Sequence, residues 1–294
     1  MSYNHLFPFI QTVRDFFKEQ NFMDVLTPPI VENPGMETHI HPFQIHSPYH
    51  KKNLPLFLHT SPEFNMKKLL SLKDPNLEKI FTISYVFRDE PDSPEHRKQF
   101  IMLEWYRANA TYEVIQKDLI DLVLYTKEQL PSELIKDELK KLKEIPVVSV
   151  QNIFQEILHF DILDFLNPKD LRQKMIKDFS FIPLSNQTHS FDDLYFLLFL
   201  NTIEPEIRKM NGLILDRFPA PLAALSEICQ DDQRVCKRFE LYLMGSEIAN
   251  CYQELINSSE QEARFKIYQQ DKLSLYNYEL PWPTDFIQTL QRGI

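Results

Sequence analysis

The stretch from Phe81 to Tyr106, FTISYVFRDEPDSPEHRKQFIMLEWY, limits what this chain can fold into more than any other. Phe81, Ile83, Tyr85 and Phe87 alternate with Thr82, Ser84, Val86 and Arg88; on the return, Phe100, Met102, Glu104 and Tyr106 alternate with Ile101, Leu103 and Trp105. Two runs of period two, joined by a charged loop with Pro91 and Pro94, predict a long antiparallel hairpin. One face of its first strand is apolar and the other ends in Arg88. Arg88, Glu90 and Glu104 set charge inside apolar strand patterns. A buried charge is costly unless it is paired or bound, so the hairpin reads as a site rather than a scaffold.

Composition narrows the kind of site. The 294 residues include only four glycines, Gly35, Gly212, Gly245 and Gly293, which excludes the Gly-rich phosphate loops of Rossmann and P-loop proteins. The net charge of −10 argues against a large nucleic-acid footprint. No apolar run reaches membrane-spanning length, and MSYNHLFPFIQ lacks the marks of a signal peptide. Cys229, Cys236 and Cys251 have no CxxC spacing, so reduced thiols in a cytoplasmic protein are the simplest account.

The patterns on either side predict an α+β fold, a mostly antiparallel sheet with helices around it. A helix is expected at 6–20 with Phe9, Val13, Phe16 and Phe17 on one stripe; Pro28 and Pro29 then force an extended segment. His39, His41, His46 and His50 punctuate a loop whose spacings match no standard metal-ligand set. TSPEFNMKKLL opens a helix at 60–70, where Thr60 with Glu63 reads as a capping box. Residues 111–210 read as a helical insertion between two sheet-rich parts of one domain, with helix starts at Asn167 and at Ser190 with Asp193. Farther on, LILDRFP and FELYL are strands and Gly245 permits a bulge or bend. In EIANCYQEL, Asn250, Tyr252 and Glu254 fall at period two on one strand face. Ser259 with Glu262 is expected to cap a helix to Tyr276, and Thr284–Gln291 a last helix stopped by Gly293.

Collected, Arg88, Glu90, Glu104, Tyr106, Glu240, Glu247, Asn250, Glu254 and Glu63 are a set whose carboxylates need cations. A divalent metal on oxygen ligands is one answer and an ammonium-bearing substrate another. A lone arginine among them suits an anionic group. Mg·ATP with a cationic amino acid meets all of these demands together.

The block FRDE…H…F.MLEWY resembles motif 2 of the class II aminoacyl-tRNA synthetases. TSPEFNMKKLL, and FELYLMGSEIANCYQEL followed by EQEARF, resemble the lysine branch of that class. Within it the chain is most similar to the elongation factor P (R)-β-lysine ligase family, lysyl-tRNA synthetase paralogues with a catalytic domain and no anticodon-binding barrel. The resemblance runs from about residue 8 to the end.

It implies an enzyme that uses ATP and Mg²⁺ to make an aminoacyl-adenylate of lysine or β-lysine and passes the acyl group to a lysine of elongation factor P. Arg88 would hold the α-phosphate, Glu90 the adenine amino group, Phe100 the ring, with His96 near the phosphates. Glu240 and Glu247 would bind Mg²⁺. Glu63 would meet the amino group nearest the substrate carboxylate, and Glu104, Tyr106, Asn250, Tyr252 and Glu254 would form the distal ammonium pocket. Members often dimerise through the segment around Pro28 and Pro29. A lysine-tRNA ligase is an alternative that the acidic balance counts against; a catalytically impaired paralogue that only binds nucleotide, amino acid or a partner is another. The sequence departs from the family at Lys98-Gln99 and at Cys251. It also ends at LQRGI, where the family continues into motif 3 with a γ-phosphate arginine, so the domain is expected to be incomplete there.

Overall fold

The computed structural model describes residues 3–49, 55–91, 97–185 and 190–294. The chain divides into two compact units, one of residues 1–9 and 111–254 and the other of residues 10–110 and 255–294.

The chain opens with helix α1 (Tyr3–Glu19), where Val13, Phe16 and Phe17 are buried as expected while Phe9 is exposed. Short extended pieces follow: β1 (Met23–Asp24), β2 (Ile30–Val31), β3 (Gln44–Ile45) and β4 (Leu56–Leu58). Helix α2 (Glu63–Leu70) leads into the hairpin strands β5 (Lys79–Phe87) and β6 (Gln99–Arg107). They pair antiparallel from Lys79 opposite Arg107 to Phe87 opposite Gln99, and β1 adds parallel to β5. A second small antiparallel sheet has the order β2-β4-β3. The hairpin is anchored by Phe17, whose ring stacks on Phe81 with centroids 4.7 Å apart and also meets Phe22 and Trp105. Burial does not follow the expected alternation throughout: Val86, on the face that ends in Arg88, is fully buried, whereas Tyr85 on the opposite face is exposed.

The next stretch is largely helical: α3 (Tyr112–Gln129), α4 (Asp137–Lys141), α5 (Val150–Leu158), α6 (Pro168–Asp178), α7 (Phe191–Leu198) and α8 (Glu204–Ile207), with strand β7 (Val147–Ser149) between α4 and α5. Asn167 caps α6, and Ser190 with Asp193 forms a capping box at α7. Strands β8 (Gly212–Asp216), β9 (Arg238–Leu243) and β10 (Ser246–Tyr252) follow. The sheet order is β10-β9-β8-β7, antiparallel except for β7 on β8. Its core gathers Val150, Phe154, Leu171, Tyr195, Leu198, Leu213 and Leu215, all at most 1% exposed apart from the neighbours that frame them. That burial fixes α5–α7 over β8.

Helix α9 (Ser258–Tyr276) and helix α10 (Thr284–Arg292) complete the fold. The cap of α9 is Asn257, whose Oδ1 accepts from the N–H groups of Ser259 and Glu260. The expected Ser259–Glu262 box does not form because Asn257, an equally strong cap, precedes it. Phe64 stacks on Phe286 at 3.9 Å between ring centroids, joining α2 to α10. No helix among the described residues is long and apolar enough to cross a membrane.

Candidate active site

On the hairpin, register decides which side chains share a face. Thr82 lies opposite Glu104, Ser84 opposite Met102, Val86 opposite Phe100 and Ile80 opposite Tyr106. Directly opposed residues of an antiparallel pair project to one side, so Thr82, Ser84 and Val86 lie with Phe100, Glu104 and Tyr106, and Arg88 continues the row. Backbone pairing holds Arg88 at the strand end, its N–H on the Lys98 carbonyl at 3.0 Å. Its guanidinium lies 5.4 Å from the Phe100 ring centroid, and its Nε donates to the Thr60 carbonyl at 3.3 Å. Farther along the face the Tyr106 hydroxyl donates to Glu104 Oε2 at 3.3 Å. Glu90 is half-buried just past β5. His96 lies outside the described residues.

The floor between these groups carries a telling feature. Thr82 Oγ1 and Ser84 Oγ are buried and have no hydrogen-bond partner among the described residues. An unsatisfied buried hydroxyl costs about 1–3 kcal/mol, so two side by side in one strand mark a place where the packed chain alone does not complete the bonding.

Glu63 begins α2, but not as half of a capping box. Pro62 occupies the N-cap without a side-chain bond, and Thr60 Oγ1 donates instead to the Pro34 carbonyl at 2.7 Å. The Glu63 carboxylate, nearly buried, accepts from Lys67 Nζ at 2.5 Å. One helical turn separates the two residues, the spacing at which side chains meet. Lys67 has no exposed surface, so this is a buried ion pair, which the sequence reading did not foresee.

The β9–β10 pair is built differently. Met244 and Gly245 both have positive φ, as the tight two-residue hairpin turn requires. A Cβ on Gly245 would lie 2.9 Å from the Arg208 backbone. The expected bulge lies beyond the glycine, between Glu247 and Ala249. It has a chemical consequence. Glu247 and Asn250 are three residues apart and would project to opposite faces of a regular strand. The bulge places Glu247 opposite Tyr242 and Asn250 opposite Glu240, with Tyr252 opposite Arg238, so all six share one side. Glu254 lies past the strand end, in a bridge with Ser226.

Arg238, which sequence reading passed over, organises this face. Its guanidinium donates to Glu240 Oε1 at 2.8 Å, to Asn250 Oδ1 at 3.2 Å and to the Leu222 carbonyl at 2.7 Å. The Tyr242 hydroxyl donates to Glu240 Oε2 at 2.7 Å. Burial and the Glu240 carboxylate push the Tyr242 pKa up, so the phenol stays a donor. The available signal was the spacing of Arg238 two residues before Glu240 in a strand.

Both Glu240 oxygens are oriented from behind and each keeps a lone pair, while Glu247 on the same face is exposed. Carboxylates sharing a strand face are the oxygen donors that suit Mg²⁺. Among the described residues no group of three or more His, Cys, Asp or Glu side chains gathers as a metal cage. The histidine loop is structural where described: His39 Nδ1 lies 2.8 Å from the Tyr276 hydroxyl and His41 Nδ1 2.6 Å from that of Tyr278. Among the described residues the cysteines form no disulfide.

A family profile described as tRNA synthetases class II (D, K and N) matches residues 7–284. The chain belongs to the class II tRNA synthetase family. Among curated relatives, it is 31% identical to the elongation factor P (R)-beta-lysine ligase of Pseudoalteromonas translucida over 97% of this chain and 83% of that protein. The ligase of the same name from Erwinia tasmaniensis is 32% identical over 96% and 82%, and that from Haemophilus influenzae 31% over 97% and 83%. The α+β class and the antiparallel sheets expected from sequence agree with this membership.

Proposed function

We propose that this chain activates lysine or (R)-β-lysine with ATP as an aminoacyl-adenylate and transfers it to a lysine of elongation factor P. The hairpin face carries the reading: an arginine held beside a half-buried phenylalanine, over a floor of buried hydroxyls without partners. The relatives' names supply the amino acid and the acceptor.

Attack of a substrate carboxylate on the α-phosphorus builds negative charge on the non-bridging oxygens, and Arg88 stands ready to neutralise it without rearrangement. Its bond to the Thr60 carbonyl and its contact with Phe100 hold the guanidinium in place. The exposed part of the Phe100 ring offers a stacking surface for adenine, with Glu90 to accept from the exocyclic amine. Glu240 and Glu247 would hold Mg²⁺, which supplies charge neutralisation on the phosphates. Arg238 and Tyr242 fix the Glu240 carboxylate for that role. Glu104 with Tyr106, Asn250 and Tyr252 on β10, and Glu254 just past its end, are the polar groups assigned to the distal ammonium. A carboxylate is already nucleophilic, so the first step needs no general base.

Homodimerisation belongs to the same proposal. Leu26, Thr27, Pro28, Leu69 and Leu72 border a hollow of about 230 Å³, with Leu26 88% exposed. Light scattering on Leu26→Glu beside the parent protein tests this: a dimer in the parent and a monomer in the variant are expected.

Pyrophosphate exchange dependent on lysine or (R)-β-lysine, followed by transfer of labelled amino acid to elongation factor P or to tRNA, tests the reading of function. Exchange that Arg88→Ala abolishes, with label on the protein acceptor, is the expected outcome. Binding of ATP or lysine with no exchange supports the impaired paralogue instead, a reading favoured by Lys67 already occupying Glu63.

A further inference from the structure

One carboxylate near the hairpin is assigned no task by the family resemblance. Residues 33–41 form an irregular segment of the second unit, pinned along its length. Asn33 accepts the Gly35 N–H at 3.0 Å and donates to the Pro281 carbonyl. Thr38 Oγ1 donates to the Tyr268 carbonyl at 3.4 Å, and Lys272 Nζ to the Ile40 carbonyl at 2.8 Å. Gly35, at φ +126°, turns the chain so that the Glu37 side chain folds back over it. A Cβ at position 35 would lie 2.6 Å from Glu37 Oε2, and 3.4 Å from Thr60 Oγ1. The glycine therefore keeps open the place where that oxygen sits.

Glu37 Oε2 is buried and has no hydrogen-bond partner among the described residues. Three charges face it. Glu63 repels it, Arg88 attracts it, and Lys272 feels it in turn. None satisfies the oxygen: Arg88 Nε is on Thr60 and Lys272 Nζ is on Ile40 and Tyr278. Burial and the Glu63 carboxylate push the Glu37 pKa up. The backbone N–H groups of Glu37 and Met36 bond the carboxylate and offset part of this; burying the oxygen still without a partner is costly, and a cationic hydrogen-bond donor brought to it would relieve both the repulsion from Glu63 and the missing bond.

We propose that Glu37 is a specificity residue of the amino acid site, its unpartnered oxygen receiving the ammonium group that the substrate carries nearer its carboxylate. The inference rests on the function proposed above and adds one residue to it: Glu37 is a second carboxylate for that group beside Glu63, whose Oε1 is bonded to Lys67. The carboxylate end is indicated because Glu37 lies within electrostatic reach of Arg88, the group that draws the reacting anions. Glu104 is four residues along β6 from Phe100, about 13 Å at strand rise, a separation that suits a second ammonium on the far end of the same substrate.

The experiment compares (R)-β-lysine, lysine and 6-aminohexanoate, which lacks the amino group near the carboxylate. Binding to the full chain is measured by titration calorimetry, with thermal unfolding as the folding control. Glu37→Gln keeps shape and removes charge; it is expected to weaken both diamino acids at least tenfold and leave 6-aminohexanoate unchanged. Glu37→Asp, which withdraws the charge by one methylene, must lower the same ratio, and it decides the matter if the glutamine variant does not fold. An unchanged ratio in a parent protein that binds diamino acids overturns the role of Glu37 alone. A parent protein that binds neither diamino acid overturns this inference and the proposed function together.

Discussion

The hairpin face of β5–β6 and the face of β9–β10 both carry buried charge in a strand pattern, yet they handle it in opposite ways. On β9–β10 the charges are closed among themselves: Arg238 spans Glu240, Asn250 and a backbone carbonyl, and Tyr242 takes the other Glu240 oxygen. On the hairpin, Thr82, Ser84 and the neighbouring Glu37 leave buried polar atoms without partners. A closed network is rigid before any ligand arrives and its members depend on one another. An open one is stabilised by what binds to it. Removing a residue should therefore damage folding on the first face and binding on the second.

The largest effect expected is on the closed face. Arg238→Met leaves Glu240 buried without its cation and should lower stability by about 3–5 kcal/mol, read as a drop in the denaturation midpoint. If the variant is as stable as the parent protein, the description of that face as closed is wrong. Arg88→Ala on the open face should leave the denaturation midpoint nearly unmoved while cutting adenylate formation about 10²–10³-fold, measured by pyrophosphate exchange. Phe100→Ala should weaken ATP binding by about 1–3 kcal/mol, the range for an aromatic platform under a base, with amino acid affinity intact.

The smallest effect concerns Glu37 and has a sign fixed by its environment. Its pKa in the folded protein is raised, so the folded protein holds that proton more tightly than the unfolded chain. The stability this gives is complete below the ordinary carboxylate range and is lost as pH rises through that range and beyond. Without ligand, Glu37→Gln should therefore gain stability over the parent protein at neutral pH, by about 1–3 kcal/mol, and the gain should vanish near pH 4. Equal stability at both pH values would show that Glu37 Oε2 has a partner.

Much of this was legible along the chain. The hairpin ends within two residues of the expected bounds because period-two alternation and the two prolines act locally. The starts of α6 and α7 were readable because Asn167, and Ser190 with Asp193, bond to backbone groups two or three residues away. Where local signals competed, reading failed. Thr60–Glu63 and Ser259–Glu262 both have capping-box spacing, but Thr60 turned to the Pro34 carbonyl, Glu63 to Lys67, and Asn257 capped α9 first.

By itself, the sequence determined the α+β class, the hairpin with Arg88 at the end of its first strand, and membership of the class II tRNA synthetase family, since each depends on residue type at short spacing. Only the tertiary structure decided how the charges are shared. The bulge at Ile248 aligned Glu247 with Asn250, register brought Asn250 to the Arg238 guanidinium, and the turn at Gly35 brought Glu37 within reach of Glu63 and Arg88. Pairing between residues far apart in the chain depends on backbone geometry that no local spacing records. On β5–β6, that geometry shows which buried polar groups are still without a partner.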